Sequence, residues 1–373
     1  MVRRIEVLLV MLALLVLPVA CAPAAVPTAT PVAKAPTAAP AKSAEPAKPA
    51  LAPPAFTPTP RPASIKLGGV ASSGLGALYL SMEKGYFKEQ GIDAENIDFQ
   101  NIQEIIAPLG TGQLDVGVPS LSTPLLAAAD RGIDLKVVAP TSVTAPKFEN
   151  SWIMLRKDLK QSGQVKTASD LKGMTIAILS QGGFADQTVQ LMLEQAGLQA
   201  GEVEVVVLPP TNYITAFANK AIAAGFSVEP YTARILQEDL AVKWMPASSF
   251  YGGQAQIGVV VFGGAMLKDQ DLARRWMVAY LKGTRDYMKA LTTKQGWDDL
   301  VKAVSKYTPI KDSKTYELIE FPYVDPNGSL DKKSIDIQYK WWVGKGLYKG
   351  QKTFDMITDL SHAEYAAQRL GRQ

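Results

Sequence analysis

Short apolar segments of strand length alternate with helix-length segments between residues 65 and 262, and this alternation limits the possible folds more than any other feature. A first run begins with the apolar segment 65–70 and continues to residue 139. The pattern restarts at Trp152 and continues to residue 245. Strands that are separated by helices of this length favour parallel pairing, so the pattern predicts an α/β fold with a doubly wound sheet in each of two units.

The strand candidate 256–262 could return the chain to the first unit after the second run is complete. Two crossings between the units, near residues 150 and 253, would then form a hinge. From Leu272 onward the pattern is mostly helical, which predicts a helical C-terminal part. In a doubly wound fold a ligand is expected in the crevice beyond the carboxyl ends of the strands.

The first 63 residues differ in composition from the rest of the chain. Arg3 and Arg4 precede an apolar run from Val7 to Val19, which predicts a secretory signal peptide over residues 1–20; a buried helix is the alternative. As a helix the run spans about 20 Å, too short for a bilayer core of about 30 Å. Residues 22–63 include 12 Pro and 15 Ala, so 21–63 is predicted to be a disordered linker, a spacer between a membrane surface and the folded domain.

Cys21 is the single cysteine of the chain, and it follows the predicted signal peptide directly. This arrangement resembles a bacterial lipobox, in which the cysteine is diacylated and becomes the mature N-terminus. Leu17 lies four residues before the cysteine, and Pro18 stands where leucine is usual. We therefore expect an exported protein that a lipid at Cys21 anchors to the outer face of the cell membrane, or a periplasmic one. Ordinary secretion with a spare thiol is the alternative.

Charge and residue counts exclude several classes of function. The net charge of +4 comes entirely from the first 63 residues, because Lys+Arg and Asp+Glu balance in residues 64–373. A neutral domain gives no support to nucleic-acid binding. With one Cys and His362 as the single His, the chain has no disulfide framework and little capacity for a metal site. We expect no metal, no cofactor and no catalytic residues.

Five segments resemble the substrate-binding proteins of ABC importers, in the group that handles nitrate, sulfonates, taurine and the pyrimidine precursor of thiamine. In the order of that family they are Tyr79–Glu95 (YLSMEKGYFKEQGIDAE), Leu109–Val138, Ser169–Gly173 (SDLKG), Val228–Tyr231 (VEPY) and Asp325–Gly328 (DPNG). The resemblance implies a two-lobed type II periplasmic-binding-protein fold with two doubly wound mixed sheets. Residues 64–150 plus 254–373 would form lobe one, and residues 151–253 would form lobe two. It also implies ABC permease subunits as partners, and we expect a monomer.

Loops that begin helices are the predicted ligand-binding positions, because helix N-termini present unpaired N–H groups and glycines permit close approach of the backbone. The candidates are Ser72, Ser73, Gly74, Ser120, Ser122, Thr123, Ser180, Gly182, Gly183, Phe184, Asp186 and Glu229. For Ser122, Thr123 and Ser180 the alternative is a plain helix N-cap. For Gly182 and Gly183 the alternative is a plain turn. Trp152 and Tyr251 are candidates for stacking on a planar solute, with core packing as the alternative.

The predicted binding loops contain Asp186 and Glu229 and no Lys or Arg. Carboxylates in a cleft repel anions and attract N–H donors, so we predict a small nitrogen-bearing or heteroaromatic solute such as a thiamine pyrimidine precursor. Organosulfonate, taurine or nitrate is the alternative, with Arg234 or Lys147 supplying positive charge and Glu229 serving as a helix cap. An enzyme on the same fold is a further alternative, which the scarcity of His and Cys disfavours. A sensor ectodomain would need a second membrane segment.

Overall fold

The structure is a computed structural model that describes residues 61–373. The predicted signal peptide, Cys21 and nearly all of the predicted linker lie outside the described residues. The strands of the described chain are β1 (Ala63–Val70), β2 (Ile92–Phe99), β3 (Val116–Val118), β4 (Leu135–Thr144), β5 (Ser151–Arg156), β6 (Thr175–Ile178), β7 (Glu204–Val207), β8 (Ala224–Val228), β9 (Ala241–Pro246) and β10 (Ala255–Gly263).

Helices connect most of these strands and form most of the C-terminal part. They are α1 (Gly76–Glu83), α2 (Tyr86–Glu89), α3 (Ile106–Thr111), α4 (Thr123–Asp130), α5 (Lys157–Gln161), α6 (Phe184–Gln195), α7 (Tyr213–Ala218), α8 (Tyr231–Gln237), α9 (Gly264–Lys268), α10 (Gln270–Thr293), α11 (Trp297–Tyr307), α12 (Lys332–Gly344) and α13 (Ser361–Leu370). Short 3₁₀ turns lie at Ser73–Leu75, Ile102–Ile105, Ala168–Leu171, Pro210–Asn212, Ala247–Tyr251, Ser313–Glu317 and Asp355–Ile357. No helix within residues 61–373 has the length and apolar character to cross a bilayer.

The strands form two five-stranded mixed sheets with the same arrangement. The first sheet has the order β2-β1-β3-β10-β4, and the second has the order β7-β6-β8-β5-β9. In each sheet four strands run in the same direction, and the fourth strand along the sheet, β10 or β5, runs antiparallel to both of its neighbours. The predicted α/β fold with two mixed sheets is therefore confirmed. We call the first sheet with the elements packed on it the first lobe, and the second sheet with its elements the second lobe.

Strand β2 is longer than the short strand 97–99 that the sequence predicts. It pairs in parallel with the whole of β1, from Ala63 opposite Ile92 to Val70 opposite Phe99. The segment IDAENIDF mixes apolar and polar residues: Ile92 and Ala94 pack in the core cluster on one face of the sheet, whereas Ile97 and Phe99 pack against the cluster on the other face. Because charged residues interrupt the apolar ones, β2 contains no continuous apolar run, and most of it is not predicted as a strand on that criterion.

The first lobe is packed on both faces of its sheet. One face carries α1, α10, α11 and α13 around the fully buried Trp276 and Tyr280, and the other carries α3, α4 and α12 around Leu125 and Trp342. His362 is buried in this lobe, with its ring 5.7 Å from that of Phe262. The chain passes between the lobes at residues 145–150 and again at 247–254.

Candidate functional site

A cavity of about 100 Å³ lies between the two sheets, and residues of both lobes form its wall. Several of them directly follow the carboxyl ends of parallel strands: Ser72 after β1, Gln100 after β2, Ser120 after β3, Ser180 after β6 and Glu229 after β8. The doubly wound topology predicts a crevice at this edge of the sheets. The cavity is therefore the candidate site.

Hydroxyl and amide groups dominate the polar part of the cavity wall. Its polar residues are Ser72, Gln100, Asn101, Ser120, Thr141, Ser142, Asn150, Ser151, Ser180, Glu229 and Tyr231. No Lys, Arg or His belongs to the wall, within the part of the chain that the structure describes. The candidate cations Arg234 and Lys147 lie elsewhere. Such a wall offers neutral donors and acceptors and one carboxyl group.

Phe184 forms an aromatic face of the cavity. Its side chain is 2% exposed, and its ring stacks on that of Tyr251 with centroids 4.9 Å apart. Phe226 meets the same ring edge-on, with centroids 5.8 Å apart. Tyr251 is itself held by its hydroxyl, which lies 3.0 Å from Thr188 Oγ1. A ring that is fixed from behind in this way presents a rigid apolar surface on which a planar solute could stack.

Glu229 combines burial with incomplete hydrogen bonding. Its side chain is inaccessible to solvent, and Oε2 accepts the backbone N–H of Ala233 at 2.9 Å. Oε1 has no hydrogen-bond partner among the described residues, and Lys243 Nζ lies 3.8 Å from it. Burial raises the pKa of the Glu229 carboxyl to about 7, against the lowering effect of Ala233 and Lys243. Within residues 61–373 no group of three His, Cys, Asp or Glu side chains is arranged to hold a metal ion.

One backbone contact between the lobes joins the loops that begin α4 and α6. The N–H of Thr123 donates to the carbonyl of Gly182 at 3.1 Å, and Ser122 pairs with Gly183 as an isolated antiparallel bridge. Gly182 has φ +66°, in the left-handed region that glycine tolerates, and its N–H donates to Asp186 Oδ2 at 2.8 Å. These five predicted ligand positions therefore lie in an interlobe contact and not in the cavity wall.

A second contact between the lobes joins the loop after β1 to the loop after β8. The N–H and Oγ of Ser73 both donate to the carbonyl oxygen of Glu229, at 3.2 and 3.0 Å. The hydroxyl of Tyr231 donates to the carbonyl of Ala71 at 3.3 Å. The lobes are thus closed over the cavity, and backbone groups that we expected to meet a solute hold them together.

The predicted site residues fall into three groups in the structure. Six of them line the cavity: Ser72, Gly74, Ser120, Ser180, Phe184 and Glu229. Ser73, Ser122, Thr123, Gly182, Gly183 and Asp186 lie at the two interlobe contacts. Trp152 and Tyr251 are outside the wall: the indole N–H of Trp152 donates to the carbonyl of Glu149 at 3.0 Å, and Tyr251 supports Phe184. Whether the first group binds a solute stays a prediction.

Several wall residues lie in places that a search of helix-start loops misses. Thr141 and Ser142 lie inside the buried strand β4, and Gly258 lies opposite them in β10. A Cβ at Gly258 would be 2.3 Å from Thr141 Oγ1, so only glycine fits there without rearrangement. Two hydroxyl residues within a buried apolar strand were a usable signal, because buried polar groups need a reason to be there.

Comparisons with known proteins identify the relatives of the chain. A family model described as "NMT1/THI5 like" matches residues 73–290. A putative binding protein of Brucella abortus is 25% identical over 228 residues, which are 61% of this chain and 67% of the relative. A 4-amino-5-hydroxymethyl-2-methylpyrimidine phosphate synthase of Saccharomyces cerevisiae, THI5, is 29% identical over 171 residues, 46% of this chain and 47% of the relative.

Solved structures share the fold at low sequence identity. The ligand-binding component of an ABC-type import system from Staphylococcus aureus, with zinc bound, has a TM-score of 0.67 and 13% identity, over 81% of this chain and 98% of that one. The alkanesulfonate-binding protein SsuA from Xanthomonas axonopodis pv. citri, bound to MOPS, has a TM-score of 0.63 and 16% identity, over 80% of this chain and 98% of SsuA. These likenesses establish the two-lobed periplasmic-binding-protein fold that the sequence predicts.

Proposed function

The chain belongs to the NMT1/THI5-like family, and we propose that it is the extracytoplasmic solute-binding component of an ABC importer. The observation that carries the proposal is the cavity, whose wall both lobes supply and over which both lobes close. Such a cavity suits a protein that encloses a small solute and releases it when the lobes separate. We place the hinge at the two crossings near residues 150 and 253, with residues 64–150 plus 254–373 as lobe one and 151–253 as lobe two.

The cavity wall favours a carrier over an enzyme. The synthases among the relatives leave an enzyme on this fold as the second candidate. The wall of the described cavity contains one carboxyl group, that of Glu229, and no Cys, His or Lys. His362 is buried in the first lobe against Phe262. Within the described wall, Glu229 is then the single group that could serve as a general base for the hydroxyl groups there, and one of its oxygens already accepts the N–H of Ala233.

We propose a small, planar, nitrogen-bearing solute of the aminopyrimidine type. Phe184 offers a flat aromatic surface, the amides of Gln100 and Asn101 offer donors and acceptors, and the described wall has no lysine or arginine to balance an anion. A sulfonate is the second choice, because SsuA has the same fold and was solved with MOPS. The sulfonate would have to bind without a lysine or arginine in the wall.

A thermal-shift screen of the purified full chain tests both assignments. The probes are 4-amino-5-hydroxymethyl-2-methylpyrimidine, taurine, MOPS and nitrate, and we expect the pyrimidine to raise the Tm. A rise with sulfonates or nitrate alone contradicts the solute class but supports a carrier. Turnover of the pyrimidine contradicts the carrier assignment.

Two valine variants show whether the shift arises in the cavity. Gly74→Val places a side chain against Ser72 and Ser142 in the cavity wall, so we expect it to abolish the shift. Gly344→Val is the matched control, because a Cβ at Gly344 meets nothing within 4 Å. We expect that variant to keep the full shift.

We also propose export through a signal peptide at residues 1–20 and a lipid anchor at Cys21, with 21–63 as a disordered linker. Permease subunits would be the partners of the anchored, monomeric protein. Labelling cells with a radioactive fatty acid tests the anchor: we expect label on the full chain and none on the Cys21→Ser variant. Equal labelling of both would contradict it.

A further inference from the structure

Charged side chains of both lobes meet near the hinge. Lys243, on β9 of the second lobe, has its Nζ 3.0 Å from Glu320 Oε1 and 3.8 Å from Glu229 Oε1. Glu320 belongs to the C-terminal part of the first lobe, between the 3₁₀ turn at Ser313–Glu317 and α12. We call Glu229, Lys243 and Glu320 the interlobe ion cluster.

The interlobe ion cluster has two carboxyl groups for one ammonium group, and they differ in solvent exposure. The side chain of Glu229 is 0% exposed, that of Lys243 is 21% exposed and that of Glu320 is 40% exposed. Lys243 is closer to Glu320, which leaves Glu229 as the buried member with the weaker ion pair. A carboxylate in that position is costly, because burial removes its hydration and the shared lysine repays only part of the loss.

The surroundings of Glu229 supply little further compensation. The N–H of Ala233 on α8, Lys243 on β9 and the backbone of Glu320 each lower its pKa, whereas the charge of Glu320 raises it. Glu149 is another buried carboxyl group at the hinge, and the charge of Glu320 raises the pKa of both Glu149 and Glu229. The hydroxyl of Ser73 is engaged by the backbone carbonyl of Glu229 and not by its carboxyl group.

We propose that closing the lobes buries Glu229 beside Glu320 with one lysine shared between them, so that the closed form takes up a proton at Glu229 and solute capture is coupled to proton uptake. The inference rests on the proposed function, since it concerns the same cavity and the same closure. Glu229 is suited to this coupling because its carbonyl accepts two hydrogen bonds from Ser73 of the first lobe, so that separation of the lobes would have to break both bonds.

The sign of the effect follows from the direction of the pKa shift. Burial raises the pKa of Glu229 to about 7 in the closed form, whereas a solvated glutamate titrates near about 4.3. The closed form therefore binds the proton more tightly than the open form does, and closure becomes more favourable as the pH falls. Between pH 8 and pH 6 this linkage strengthens solute binding about tenfold.

Calorimetric titration of the full chain with 4-amino-5-hydroxymethyl-2-methylpyrimidine at pH 6 and pH 8 tests the coupling. We compare the wild type with Glu229→Gln, Glu320→Gln and the control Glu317→Gln, which removes an exposed carboxyl group from the neighbouring 3₁₀ turn. Ionisation of the probe itself is common to all four proteins, so the difference between variants isolates the protein's contribution.

For each protein we take the ratio of the affinity at pH 6 to that at pH 8. We expect this ratio to be about tenfold larger for the wild type and for Glu317→Gln than for Glu229→Gln. Glu320→Gln should gain less than the wild type, because loss of the Glu320 charge lowers the pKa of Glu229. Equal pH dependence in the wild type and Glu229→Gln would overturn the inference while leaving the carrier function intact.

A measurement without solute keeps the inference testable if the probe does not bind. Small-angle scattering gives the radius of gyration of the solute-free chain at both pH values. We expect the wild type, but not Glu229→Gln, to be more compact at pH 6. If the radius of gyration of the wild type is the same at both pH values, the proton coupling is overturned. If the radius depends on pH but no probe binds, the result counts against the proposed solute alone.

Discussion

Replacing Ser73 with alanine tests whether the contact between the loops after β1 and β8 holds the lobes closed. Ser73 is fully buried, and its Oγ donates to the carbonyl oxygen of Glu229 at 3.0 Å across the cleft. Ser73→Ala removes this hydrogen bond and leaves the backbone N–H of the same residue, which donates to the same carbonyl at 3.2 Å. The substitution therefore weakens the interlobe contact without abolishing it.

The expected size of the effect follows from the worth of one hydrogen bond. A neutral hydrogen bond contributes about 1 kcal/mol net, which is about a fivefold change in an equilibrium constant. Because this bond joins the two lobes, its loss acts on the equilibrium between open and closed forms. If solute binds by closure, the apparent Kd rises by the same factor of about five.

Ser81→Ala is the matched control for this prediction. Ser81 is also fully buried, but its Oγ donates to the carbonyl of Ala77 within α1, at 2.7 Å. Calorimetric titration with the pyrimidine probe and denaturant unfolding should separate the two variants: Ser73→Ala weakens binding, whereas Ser81→Ala changes only the free energy of unfolding. If both variants bind the probe as the wild type does, the contact does not control closure and our reasoning is refuted.

Three further predictions concern the other contacts of the site. Gly182→Ala should lower the free energy of unfolding by about 1 kcal/mol, because residue 182 has a left-handed backbone, and should also weaken probe binding, because a Cβ there lies 2.6 Å from Thr123 Oγ1. Gly197→Ala is the control: its φ is similar and a Cβ meets nothing within 4 Å, so it should lower only the free energy of unfolding. Calorimetric titration measures the binding, and denaturant unfolding measures the stability. Phe184→Ala should reduce the free energy of unfolding by about 3–5 kcal/mol, measured with urea, and should bind the probe more weakly; wild-type affinity would contradict the stacking role. Burial raises the pKa of Glu149 in the folded protein, so the stability that Glu149 contributes is lost as the pH rises through this raised pKa. Measured by urea unfolding, the free energy of unfolding of Glu149→Gln should therefore fall less steeply above pH 5 than that of the wild type. Equal dependence of the two proteins on pH would contradict this assignment.

The sequence predicted the fold well because the fold depends on patterns that extend over many residues. Alternating strand and helix segments identified both sheets and the return of the chain at 256–262, which is β10 in the structure. Most of the edge strand β2 was missed, because every apolar stretch in this segment is short. The segment is a strand because it pairs with the whole of β1. A register of this kind is decided by the neighbouring strand and not by the segment itself.

The candidate site was only partly predictable, for a related reason. Loops at strand ends could be located, and six of the predicted residues line the cavity. The sequence could not show that the N–H groups of Thr123 and Ser73 meet carbonyl groups of the other lobe, because hydrogen bonds across a cleft depend on how two separately folded sheets meet. Thr141 and Gly258 reach the cavity through the pairing of β4 with β10, which is equally non-local.

The place of β10 in the first sheet has a consequence for the order in which the chain assembles. The second sheet is complete once β9 ends at Pro246, and all of its strands come from one continuous stretch. The first sheet lacks the strand between β3 and β4 until Ala255–Gly263 has been made. The second lobe can therefore fold from its own continuous stretch of chain, whereas the first lobe has to bring together two segments that lie on either side of that stretch. Until β10 pairs, the facing edges of β3 and β4 present unpaired backbone N–H and C=O groups.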